Sequence, residues 1–193
     1  MKKTIILTCC IMLAAVSMQA QGFQLGIKGG LNFNSISTDI NTFDPSNRTG
    51  FHGGAFVMLK LSKIAIQPEV LFSRQGSEVD VAGIVSDFNY DYFNIPIMVK
   101  FYLIGGLNLQ AGPQFGFLTT AEVESVGNVQ DVKETLKNSD ISFSVGIGID
   151  LPLQFNASAR YNIGISDIND DAAADAIRNQ VVQVSVGYAF IKK

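Results

Sequence analysis

The sequence predicts an all-β protein, an eight-stranded antiparallel up-and-down transmembrane β-barrel. Apolar residues recur at every second position over segments of about ten residues, the period of strands with one apolar face. The connections between these segments alternate long and short. The face opposite the apolar one is mostly Gly, Ser, Asn and Gln, which suits the crowded inside of a narrow barrel better than a water-facing surface. Composition agrees: the 193 residues are 47% hydrophobic but only 16% charged, against roughly 25% charged in average soluble domains.

Residues 1–20 form the first element, a signal peptide. Lys2 and Lys3 supply a positive start, Ile5 through Val16 an apolar stretch, and Ser17 and Ala20 the small residues before a cleavage point placed between 17 and 21. The only cysteines, Cys9 and Cys10, fall in the apolar stretch. The mature chain, residues 21–193, then has no disulfide, thiol nucleophile or Cys-based metal site. Removing Lys2 and Lys3 takes the net charge from −3 to −5, which argues against nucleic acid as a partner.

Eight strands follow. Over 23–33, Phe23, Leu25, Ile27, Leu31 and Phe33 share one face, and Gln24, Gly26, Lys28, Gly30 and Asn32 the other. Segments near 50–60, 64–74, 91–103 and 107–118 come next, then 141–151, 155–165 and a last strand through Val182, Val184, Val186, Tyr188 and Phe190. Segments of this length suit a tilted crossing of the hydrocarbon, which takes about 9–11 residues. Closure of the sheet removes edges that lipid cannot hydrogen-bond. A helical period fits only short pieces such as 172–178. The connections 34–49, 75–90, 119–140 and 166–179 are long and polar, whereas 61–63, 104–106 and 152–153 are tight. Short turns on the periplasmic side and long loops outside are the pattern of outer-membrane barrels. Aromatics near strand ends (Phe33, Phe51, Phe72, Tyr90, Tyr92, Phe93, Phe101, Tyr102, Phe115, Phe117, Tyr161, Tyr188, Phe190) are expected to form the interfacial girdles. Pro68 and Pro96 fall inside strands, where each is expected to mark a bulge.

Five fragments carry a family resemblance: GIKGGLNFN (26–34), IAIQPEVLFSRQG (64–76), YFNIPIMVKFYL (92–103), LQAGPQFGFL (109–118) and SARYNIGISDI (158–168). In this order they resemble the PorT-like family of small outer-membrane β-barrels of Bacteroidota, from about Gly22 to Phe190. The resemblance implies the fold, a place in the outer membrane among its lipids, and a link to protein secretion that holds for the family's best-known member. The final strand resembles the signal read by the barrel-assembly machinery, although Ile191, Lys192 and Lys193 follow its last aromatic.

Ionisable residues at inward positions are Lys28, Lys60, Glu69, Lys100, Asp150 and Arg160. Lys28, Glu69, Lys100 and Arg160 are expected to form a structural ion-pair and hydrogen-bond network, since buried charges need partners. No catalytic residue, cofactor or metal ligand is expected. The Asp39/Asp44 and Asp167/Asp170/Asp171 groups read as solvated loop, although carboxylate clusters can hold Ca²⁺ weakly.

The leading reading is a non-enzymatic envelope protein that serves envelope structure or meets a partner, such as another protein, through its long acidic outer loops. A lipid-modifying enzyme using His52 as base would need a Ser or Asp within hydrogen-bond reach at the lipid-facing outer rim; Ser73 and Ser166 lie near loop bases, with no spacing that ties them to His52. A soluble lipocalin-like binder would turn the Phe/Ile/Val faces inward around a cavity.

Overall fold

The computed structural model describes residues 22–37, 46–81, 84–125, 128–131, 139–165 and 178–193. The strands are β1 (Gly22–Ser37), β2 (Ser46–Leu61), β3 (Ile64–Val81), β4 (Ile84–Tyr102), β5 (Leu107–Ser125), β6 (Asn128–Asp131), β7 (Ser139–Asp150), β8 (Phe155–Gly164) and β9 (Arg178–Lys192). All pairs are antiparallel. From β1 to β5 and from β7 to β9 each strand pairs with the next, β5 pairs with β7 and β1 with β9, so eight strands close into a ring while β6 extends β5 as a short hairpin.

Cross-strand partners traced once around the ring run Gly22, Lys60, Ala65, Lys100, Gln110, Gly146, Arg160, Gln183 and back to β1 at Asn32, ten residues further along. With strands about 4.8 Å apart and a rise of about 3.3 Å per residue, that stagger tilts them by about 40°. A ring this narrow is filled by its own side chains.

The alternation has the sense the sequence predicts. Ile27, Val70, Phe93, Ile147 and Val186 point outward and stay about half exposed, whereas Gln24, Asn32, Ser73, Gln110, Ser144 and Gln183 are buried inside. This arrangement is the reverse of a lipocalin-like binder. An aromatic row, Phe51–Phe72–Phe93, crosses β2, β3 and β4 with ring centroids 6.3 and 6.0 Å apart, and Phe93 faces Phe117. Near the other end, Phe155 and Tyr188 pack at 5.1 Å.

Three expectations need correction. Tyr92 and Tyr102 are buried in the lumen and Tyr90 packs against the cluster there, because parity on β4 gives the outward places to Phe93 and Phe101. The expected loop 75–90 is largely strand, with β3 running to Val81 and β4 starting at Ile84; part of 119–140 is also paired, through Ser125 and β6. Backbone pairing needs no lipid, so the hairpins continue past the membrane. Third, the prolines are not bulges. Phe56↔Glu69 and Leu59↔Ile66 keep one register across Pro68, and Gln67↔Met98 and Leu71↔Asn94 keep one across Pro96. Pro68 stays paired to Ile97, and Pro96 to Gln114. In an antiparallel ladder a residue's N–H serves one neighbour only, so each proline interrupts one ladder without inserting a residue. The register shifts fall at Leu25/Gly26, Asn47/Phe51 and Asp91/Tyr92.

Inward glycines let the wall curve tightly. A Cβ on Gly30 would run into the Val184 carbonyl and the Ser185 Cα, both backbone atoms of β9. Gly30→Ala is therefore expected to cost about 1–3 kcal/mol through overpacking, measured by urea unfolding in lipid vesicles. Gly53→Ala, whose Cβ would have only an ordinary contact, 3.7 Å from the Lys28 carbonyl oxygen, should change stability much less.

Candidate functional site

The lumen contains one bonded network around Glu69. Alternation along Ile66–Val70 turns Gln67 and Glu69 inward and Ile66 and Val70 toward lipid. Arg160, from β8 across the barrel, grips the carboxylate with both terminal nitrogens: Nη2 donates to Oε1 at 2.6 Å and Nη1 to Oε2 at 2.9 Å. Lys28 Nζ donates to Oε2 at 3.2 Å, and Gln67 Nε2 to Oε1 at 2.6 Å. Arg160 Nε donates to Gln110 Oε1 at 2.9 Å, and Gln110 Nε2 to Asn108 Oδ1 at 2.9 Å. Strands β1, β3 and β8 thus meet at one carboxylate, and Arg160 extends the network to β5 through Gln110. The Lys28, Glu69 and Arg160 side chains are at most 2% exposed.

Glycines make this possible. Lys28 has Gly54 and Gly187 as its two cross-strand neighbours, and Arg160 has Gly146, where a Cβ would meet the Arg160 stem. The Arg160 stem lies over the bare backbone of Gly146, and the Asn156 amide takes the space over Gly187.

Lys100 reaches the lumen and is buried, yet it makes no hydrogen bond or ion pair with a described residue. The expected four-residue network therefore forms around three of its members. Lys60 and Asp150 meet at the periplasmic end through Tyr102: the ammonium sits 3.5 Å from the ring centroid, and the phenol donates to Asp150 Oδ2 at 2.7 Å.

A second cluster surrounds His52. Its Nε2 lies 2.8 Å from Ser185 Oγ and its Nδ1 2.8 Å from Asn32 Oδ1; Asn32 Nδ2 donates to Ser73 Oγ at 2.9 Å. The order Ser–His–Asn matches the parts of a nucleophilic triad, but all three are buried inside the barrel, where no ester carbonyl reaches Oγ. The lipid-enzyme reading required this pair at the lipid-facing rim, and the pair is not there. Sequence spacing missed Asn32 and Ser185 because they lie 20 and 133 residues from His52; only the register brings them together. Ser166, Asp39, Asp44, Asp167, Asp170 and Asp171 lie outside the described residues, as do residues 1–20, the expected signal peptide, and 172–177; Arg178 starts β9.

Apolar clusters stand toward both ends of the lumen. Phe56, Met58, Ala65, Tyr102 and Ala189 pack at the periplasmic end, and Tyr92, Leu118 and Ala121 at the outer end.

The closed ring, with lipid-type side chains outside and polar ones inside, is matched by comparison. The profile of the family described as "Outer membrane protein beta-barrel domain" covers residues 19–170. The chain belongs to this family. Its place is accordingly the outer membrane. The fold is similar to that of Neisserial surface protein A, NspA (TM-score 0.57, 13% identity, covering 86% of this chain and 97% of that one). It is also similar to OprG of Pseudomonas aeruginosa (0.52, 14%, 89% and 97%). A third similar structure is Ail, the attachment invasion locus protein of Yersinia pestis, in complex with the heparin analogue sucrose octasulfate (0.51, 16%, 88% and 99%). No curated protein matches the chain.

Proposed function

We propose that the protein is a non-enzymatic outer-membrane barrel whose acidic outer end binds a cationic partner. The observation that carries this reading is the axial separation of charge. The periplasmic half and lumen hold Lys28, Lys60, Lys63, Lys100, Arg160, Lys192 and Lys193 against only Glu69 and Asp150. Apart from Lys2 and Lys3, the outer strand ends and the segments joining them hold the remaining fifteen acidic and five basic residues. A field of one sign raises the local concentration and association rate of opposite charge. Strands β3, β4 and β5 are 18–19 residues long, where about 9–11 cross the hydrocarbon, so they carry part of that charge beyond the lipid.

Ail was crystallised with a heparin analogue; the acidic outer end here disfavours such a polyanion and favours a basic protein surface. The closed ring and the burial of Ser185 and His52 support the non-enzymatic part. Export through residues 1–20 and insertion by the barrel-assembly machinery, acting on the β9 strand with its outward Tyr188 and Phe190, complete the proposal. A role beside a secretion system is a narrower form of it, supported by the five PorT-like fragments.

The test is binding of oligolysine and of sucrose octasulfate to the barrel in nanodiscs of neutral lipid. Oligolysine should bind with an affinity that falls steeply with salt and fades as the pH drops through about 4, where carboxylates protonate. Converting Asp167, Asp170 and Asp171 to Asn should weaken it. Binding of the octasulfate instead, or salt-independent binding, contradicts the reading.

A further inference from the structure

The mouth between the periplasmic turns is concave. It encloses about 560 Å³, within the size range of small-molecule sites, and its lining includes Lys60, Gly105, Gly106, Asp150, Lys192 and Lys193. We propose that this cup binds a phosphate-bearing anion.

Three observations lead there. The cup has an apolar floor: Tyr102, whose ring lies under the Lys60 ammonium, belongs to the cluster of buried residues packed behind it. The ligand therefore enters from the periplasm or from the inner leaflet. Second, its charges are unbalanced. Lys60, Lys192 and Lys193 make no ion pair with a described residue, and they face a single side-chain carboxylate, Asp150, which accepts from the Tyr102 hydroxyl at 2.7 Å. Third, the groups behind the cup add to its field. Lys100 is directly across the ladder from Ala65, which in turn faces Lys60, and among the described lumen residues cations outnumber carboxylates.

The rim is shaped for a compact anion. The turn at Gly105 and Gly106 is left-handed at both residues, φ 64° and 85°, which keeps side chains out of that wall. Ammonium groups bind phosphate as point charges, without the planar match that Arg gives a carboxylate. The rim contains Lys and no Arg, which favours a phosphate over a planar carboxylate. The phosphate has two sources, a free periplasmic phosphate compound or the headgroup of an inner-leaflet phospholipid. This inference is independent of the outer-end reading.

Amide NMR on the refolded barrel tests it. Inorganic phosphate is titrated in neutral detergent micelles, and phosphatidylglycerol is introduced separately into phosphatidylcholine nanodiscs. Saturable shifts confined to Gly105, Gly106 and Lys192, with half-saturation raised about tenfold in the Lys60→Gln/Lys192→Gln double variant, are expected. Saturation by inorganic phosphate assigns the cup to a free compound, and saturation by phosphatidylglycerol alone assigns it to a headgroup. Saturation by neither probe, or shifts unchanged in the double variant, overturns the proposal. The exposed single variant Lys192→Gln, which touches none of the packed cluster, should show a smaller weakening in the same direction. It keeps the test decisive if Lys60→Gln impairs folding.

Discussion

Replacing Glu69 with Gln is expected to destabilise the barrel by about 3–5 kcal/mol, the cost of removing one partner from a buried ion pair. The carboxylate is the shared acceptor of Arg160 and Lys28, each within 3.2 Å, and no second carboxylate touches either cation among the described residues. Gln at this place keeps the volume but leaves two cations facing each other in the lumen. Lys28→Met has the opposite logic. It leaves the bidentate Glu69–Arg160 pair intact and neutral, so its cost should be well below that of Glu69→Gln. In the double variant Glu69→Gln/Arg160→Met, part of the loss should return, because a guanidinium no longer sits without its counter-ion. Urea unfolding in lipid vesicles, run as a double-mutant cycle, measures this coupling directly. Equal losses for Glu69→Gln and Lys28→Met would show that the carboxylate is not the hub.

Val145→Arg should cost about 2–4 kcal/mol, the penalty for a basic side chain on the lipid face at the bilayer midplane. Val145 stands halfway between Ile141 and Ile149 on the outward face of β7, opposite Ala111 and Tyr161. The same change at Ile165, beyond the end of β8, should cost about 0–1 kcal/mol, since the penalty falls toward the interface. A flat profile between the two positions would mean that the Phe/Ile/Val face does not meet hydrocarbon. The same vesicle unfolding assay reads both variants.

The strands were legible because their signal is local. Period-two alternation from Phe23 to Phe33 or from Ile141 to Leu151 needs nothing beyond the segment itself, and parity alone placed Lys28, Glu69 and Arg160 inside. Parity also contains the answer for Tyr92 and Tyr102, whose neighbours Phe93 and Phe101 hold the outward places; grouping aromatics by nearness to strand ends concealed it. The length of β3 and β4 was hidden because polar residues in a strand that has left the membrane look like loop. What no local pattern contains is the stagger. The ten-residue offset around the ring decides that Arg160 meets Glu69, that Lys100 does not, and that His52 finds Asn32 and Ser185. The prolines misled for a related reason: their effect depends on which neighbour their missing N–H would have served, a property of the ladder and not of the strand.

The most direct test of the closed outer-membrane barrel is gel mobility of the protein from fractionated cells, compared before and after boiling. The account predicts that the protein sediments with the outer membrane and migrates differently when unboiled, because a closed ring of eight strands resists detergent until heated. A soluble periplasmic protein whose mobility does not change on boiling would contradict it.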